Sequence, residues 1–206
     1  MHVTSRIMKT TGGRLPEAIP VVNHVIGILN EKHGSDFSAA VMIGGDPAVI
    51  GITGMWESLG DLEKYRASMM ADQEVAGVMR LAAPLFTDDA QDTIWKIHMA
   101  PGEPQAYTGI FGGRVNMARL DEVATFAAEA AGIVKGVTGN EIGIATAVTG
   151  DRSRLIWVGF APDLATMEAN SDALEANDDY MALFKKGADI MVPGSLESDI
   201  WQTVSG

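Results

Sequence analysis

Cysteine is absent from the 206 residues. Disulfides, thiolate metal centres and cysteine nucleophiles are therefore excluded. Long apolar runs are missing too. No stretch approaches the roughly 20 residues that a membrane span needs, and no apolar leader opens the chain. The expectation is a cytoplasmic protein with no membrane partner. Basic residues are few: 15 lysines and arginines stand against 27 aspartates and glutamates, a net charge of −12. Nucleic acid is an unsuitable partner for such a surface, because phosphates need basic groups. The four histidines, His2, His24, His33 and His98, show no i, i+4 pair, and no His/Asp/Glu cluster has metal-ligand spacing, so no metal is expected. No Gly-x-Gly-x-x-Gly or P-loop pattern follows a strand, and no Gly-x-Ser-x-Gly elbow occurs, so no cofactor is expected either.

What is present is a repeat. Arg14-Leu15 recurs 105 residues later as Arg119-Leu120, and the match runs without a gap to Glu63 and Glu168. Gly27/Gly132, Gly34/Gly139, Gly45/Gly150, Asp46/Asp151, Gly54/Gly159 and Leu59/Leu164 are identical pairs. Glycines, turn acids and strand alternation fall in register together, which marks two copies of one unit. Residues 1–100 form the first module, 101–104 a linker and 105–206 the second.

Local signals set the order within each module. His2 to Thr10 reads as a strand. Leu15 to Lys32 carries apolar residues at the 3.6-residue period, with Gly34 as its C-cap. Pro16 and Pro20 place the start of regular helix near Ile19. Phe37–Ile43 and Val49–Trp56 flank the turn Gly44-Gly45-Asp46-Pro47 as a hairpin. One long helix is expected from Ser58, its N-cap, to about Leu85, and a last strand from Gln91 to His98. In the second copy Tyr107 to Phe111 is a strand that Gly112-Gly113 ends. A helix from Leu120 to Val134, a hairpin over 142–160, an interrupted helical stretch over 163–190 and a strand from Asp199 follow. The order β-α-β-β-α-β is that of the ferredoxin-like split βαβ, with both helices on one sheet face. Both faces of the hairpin are apolar, Ile50, Ile52 and Trp56 on one and Val49 and Met55 on the other. A second cover is needed, and two fused modules supply it by packing sheet to sheet. The fold class expected is α+β, an intramolecular α+β barrel.

The hairpin entering Gly54-Met55-Trp56-Glu57-Ser58, the helix start Leu59 to Tyr65, and the closing Thr93-Ile94-Trp95-Lys96-Ile97 resemble the dimeric α+β barrel superfamily. The Trp-x-Ser-x-x-x-Leu junction, Trp56 to Leu62, is similar to its antibiotic-biosynthesis-monooxygenase and NIPSNAP-like branches, here as a tandem fusion. The resemblance implies two sheets with helices outside and a pocket in each module between sheet and helices. It implies an activity among cofactor-free oxygenases, haem-degrading enzymes, isomerases, dehydratases and non-enzymatic binders. Haem degraders of this kind carry a helix histidine, and neither second helix has one. Ala161 stands where the first module has Trp56, so the second pocket is expected to be degenerate or differently shaped.

The candidate site accordingly falls in module one. Trp56 offers a flat wall for an aromatic ligand, or caps the sheet as a core residue. His24 and His98 have an imidazole's affinity for protons near neutral pH, or are exposed and idle. Tyr65, Arg66 and Asn23 offer donors for a phenolate or carboxylate, and Arg6 does so if it faces the pocket. The twelve methionines fill core gaps or line an adaptable apolar pocket. Three functions remain. One is a small-molecule enzyme that oxygenates a phenolic or quinol-like substrate without a cofactor. The second is a non-catalytic or stress-related barrel that holds a small apolar or aromatic ligand. The third is a structural module that pairs with another subunit. A monomeric fused barrel and a homodimer are both compatible with the sequence.

Overall fold

A computed structural model describes residues 1–205. The protein is α+β, with six α-helices and eight strands among the described residues. It divides into two compact units, 1–96 together with the chain from Trp201 onward, and 97–200. These units follow the two linear halves except at their ends. No helix among the described residues is long and apolar enough to cross a membrane.

In unit one, β1 (His2–Lys9) lies between β3 (Val49–Trp56) and β4 (Gln91–Met99), and β2 (Phe37–Gly44) pairs with β3. The order β4-β1-β3-β2 is antiparallel throughout. Beyond β2, the amide of Val204 donates to the carbonyl of Ala39 at 2.9 Å.

The helices show where local signals are outweighed. α1 runs Leu15–His33, starting four residues before Ile19, with Pro20 inside it. An interior proline costs about 3 kcal/mol. Burial of Val22, Ile26 and Leu29 on one face contributes about 1.5–3 kcal/mol each and exceeds that cost. Gly34 ends α1 with φ 62°, where a Cβ would be strained. The single helix expected after Ser58 is two, α2 (Leu59–Ala71) and α3 (Gln73–Ala82). Asp72 breaks it. Its Oδ1 accepts from the amides of Glu74 at 2.8 Å and Val75 at 3.2 Å, so α3 gains its own N-cap.

Unit two repeats the order: β5 (Tyr107–Arg114), α4 (Leu120–Thr138), β6 (Gly143–Ala147), β7 (Arg154–Ala161), α5 (Leu164–Glu175), α6 (Asp178–Gly187) and β8 (Glu197–Thr203). β5 and β6 flank β7, and β8 lies beside β5. The strand pairing coincides with that of unit one under the same shift. Thr4 opposite Gly54 becomes Gly109 opposite Gly159, and Ala39 opposite Ile52 becomes Ile144 opposite Trp157.

Gly112-Gly113 does not end β5, which continues to Arg114. A Cβ on Gly112 would stand 2.4 Å from the Leu155 carbonyl oxygen, and one on Gly113 2.8 Å from that of Ser195. The glycines let neighbouring backbone come close. Gly112→Ala should therefore destabilise the protein by about 1–3 kcal/mol. Gly132→Ala, on α4 with open space around it, should stabilise it by about 0.5–1 kcal/mol. Urea midpoints of the two variants against the parent check the contrast.

Candidate functional site

At the end of β3, Trp56 is 7% exposed and Tyr65 of α2 is 8% exposed. Their ring centroids are 4.7 Å apart, and Phe37 stands 5.4 Å from Tyr65 and 5.8 Å from Trp56. The Trp56 indole N–H donates to Thr4 Oγ1 at 3.0 Å, and the Tyr65 hydroxyl to Met69 Sδ at 3.4 Å. Burial pushes the Tyr65 phenol up to about 12, although nearby Arg6 acts the other way. These three rings fill the space between sheet and helices in unit one. Outside them remains a hollow of about 480 Å³, lined by Trp56, Tyr65, His33, Lys64 and Ser68 among others.

The other sequence candidates are elsewhere. Arg6 donates to both oxygens of Asp92, at 2.7 and 2.6 Å, and that bond raises Arg6 and lowers Asp92. Arg66 is exposed and acts on Asp92 at longer range. Asn23 donates through Nδ2 to the Val204 carbonyl at 2.7 Å. His24 is exposed on α1. His98 belongs to unit two, where its Nε2 meets Thr146 Oγ1 at 2.8 Å. The structure brings Trp56 and Tyr65 together and leaves His24 and His98 in separate units.

The larger of the two hollows is in unit two, where the expectation was a pocket degenerate or differently shaped. It encloses about 800 Å³. At the shifted positions Trp56 becomes Ala161, Tyr65 becomes Asn170, Phe37 becomes Ile142 and Arg6 becomes Phe111. Ile142 and Phe111 line the cavity, and Ala161 is buried. Rings line it from other positions. Phe111 and Trp157 are 5.8 Å apart, Phe111 and Phe184 6.2 Å, and Tyr180 and Phe184 6.4 Å. β5 and β7 supply Phe111 and Trp157, and α6 carries Tyr180 and Phe184 one turn apart.

Polar groups are few. Tyr180 and Asp199 line the cavity with Glu168, Asp172, Ser171 and Ser198. Burial raises the Asp199 carboxyl above its ordinary value, Glu197 adds to the rise, and Arg154 opposes it. Burial and Glu175 raise the Tyr180 phenol. A carboxyl raised in this way is suited to exchange protons closer to neutral pH. Sequence reasoning passed over Asp199, Tyr180, Trp157 and Phe184. Only the i, i+4 ring pair on α6 signalled them.

No family model and no curated protein matches the chain. Solved structures do. A protein of Fusobacterium nucleatum subsp. nucleatum, named as a candidate monooxygenase, aligns with TM-score 0.74 at 7% identity, over 99% of this chain and 92% of that one. A second candidate monooxygenase, from Lactobacillus acidophilus, gives 0.71 at 6% identity over 99% and 94%. An anthrone oxidase-like protein gives 0.66 at 16% identity over 98% and 91%. The likeness is one of fold.

The cavity's origin is tested by exchange. Ala161→Trp with Asn170→Tyr should fill the second unit and lower the affinity for a neutral planar dye such as acridone at least about tenfold, read by fluorescence titration. Trp56→Ala should cost unit one about 3–5 kcal/mol, read by denaturant unfolding.

Proposed function

We propose that the cavity of unit two is the active site of a small-molecule enzyme. It would oxygenate a flat phenolic or quinol-like substrate without a bound cofactor. The observation that carries this reading is the ring-lined space of about 800 Å³ with a raised carboxyl, Asp199, on its wall. Such a volume is of the size that holds a small ligand. Offset and edge-on rings suit a planar body. The fold shared with candidate monooxygenases and an anthrone oxidase-like protein is consistent with the reading. The coincident registers support two fused ferredoxin-like modules.

In the proposed reaction, the substrate reacts in its keto form, and Asp199 takes a proton from a ring methylene activated by the carbonyl across the ring. The electron-rich ring carbon then forms a bond to dioxygen. The O–O bond breaks, the methylene becomes a carbonyl, and its two hydrogens leave with the second oxygen atom as water. Four electrons leave the carbon and four enter dioxygen, so no reductant is needed. Tyr180 would hold the substrate oxygen by a hydrogen bond. Trp56 and Tyr65 would serve unit one as packing, with Arg6 held by Asp92.

Oxygen-electrode assays with anthrone test this. Asp199→Asn should lower kcat by about 10²–10⁴-fold with little change in KM, and Tyr180→Phe should act mainly on KM. Oxygen uptake that is absent from the parent, or equal in the Asp199→Asn variant, would overturn the assignment. A ligand that binds and is recovered unaltered would make the protein a binder instead.

The raised Asp199 also has a stability signature. The folded state holds this proton more tightly than the unfolded chain, so the stabilisation is present at low pH. It is lost as pH rises from the ordinary 3.8 through the higher folded value. Asp199→Asn should therefore raise the thermal midpoint at pH 7 and lose that advantage below pH 3.8.

A further inference from the structure

The rings fit the body of a ligand and leave its charge open. Glu168, Asp172 and Asp199 line the cavity, and among the described residues no lysine, arginine or histidine does. Glu168 and Asp172 lie one turn apart on α5, both exposed, and neither forms an ion pair among the described residues. The cations of the surrounding elements are otherwise engaged or outside the lining. Lys135 of α4 binds Glu141, Lys186 of α6 binds Glu129, Arg154 of β7 lies 3.9 Å from Glu197, and Lys185 is exposed. Trp157, Phe111 and Phe184 line the same cavity.

We propose that this cavity selects a planar aromatic ligand that carries a protonated amine, and rejects one that carries a carboxylate, sulfonate or phosphate. The ring system lies among Phe111, Trp157 and Phe184, and the ammonium faces Glu168 and Asp172. The inference rests on the reading of the cavity as a small-molecule site and adds the charge class of the substrate. Two unpaired carboxylates attract a cation and repel an anion at the same distance. Indole and phenyl faces add cation–π attraction for a cation and none for an anion. A substrate ammonium also offsets the carboxylates' field on a substrate that turns anionic when its methylene loses a proton to Asp199.

The test uses three tricyclic probes of similar outline, aminomethylanthracene as its ammonium, acridone and anthracene carboxylate, titrated by fluorescence into the full chain at about 0.15 M salt, where distant charges are screened. The cation should bind on the order of a hundredfold more tightly than the anion, with acridone between them. In the Glu168→Gln/Asp172→Asn double variant the gap should close to about threefold. An anion bound as tightly as the cation would overturn the charge selection and leave the cavity standing, since acridone still binds. A gap that persists undiminished in the double variant would assign it to the protein's net charge and overturn the role of Glu168 and Asp172. Failure of all three probes would overturn the cavity as a site, and this inference with it.

Discussion

Whether a ring occupies the junction from strand to helix decides what each unit can do. The last residue of β3 is Trp56 and the last of β7 is Ala161, at matching places in matching strands. In unit one the indole stacks on Tyr65 at 4.7 Å and hydrogen-bonds to Thr4, and the space between sheet and helices is solid. In unit two a methyl group stands there, 2% exposed. A close-packed interior turns a difference of one side chain into a void unless the neighbours collapse. They are kept from collapsing by the rings of Phe111, Trp157 and Phe184, which hold one another 5.8–6.2 Å apart.

The same strand scaffold therefore carries two divisions of labour. Unit one converts its strand ends into core and ion pair, Arg6 to Asp92 on β1 and β4. Unit two replaces that arginine by Phe111 and keeps its carboxylates unpaired at the wall. Backbone register is constant between the two, so the divergence is confined to side chains.

The fold was legible wherever the signal was local. Gly34 ended α1, Ser58 opened α2 and the Val49–Trp56 strand carried its alternation in a few residues. The break at Asp72 was not, because a helical stretch containing an aspartate reads as continuous until its side chain is seen to cap the amides of Glu74 and Val75. Gly112-Gly113 were read as a terminus because a glycine in a strand carries no mark of the carbonyl that approaches it. The site was harder. Large residues announce themselves, so Trp56 and Tyr65 drew attention. A cavity is made by what is missing, and Ala161 read as loss. Asp199 depends on Arg154, 45 positions away in the chain, and on burial, neither of which a sequence displays.

The last strand has a consequence for the order in which the chain matures. Trp201 packs beside Gly51, where a Cβ would come within 3.0 Å of its ring. Asn23 of α1 holds the Val204 carbonyl, and the Val204 amide holds Ala39. Unit one, though made before unit two, thus lacks an edge until Trp201 to Val204 are made. Its closing contacts span 150 positions from Gly51 to Trp201 and 165 from Ala39 to Val204. Contacts so distant in sequence form late and slowly. The nascent first half is left with an open strand of β2, the kind of edge on which newborn chains associate. Synthesis of the stretch from Trp201 to Val204, rather than folding of the first half alone, is what shields it.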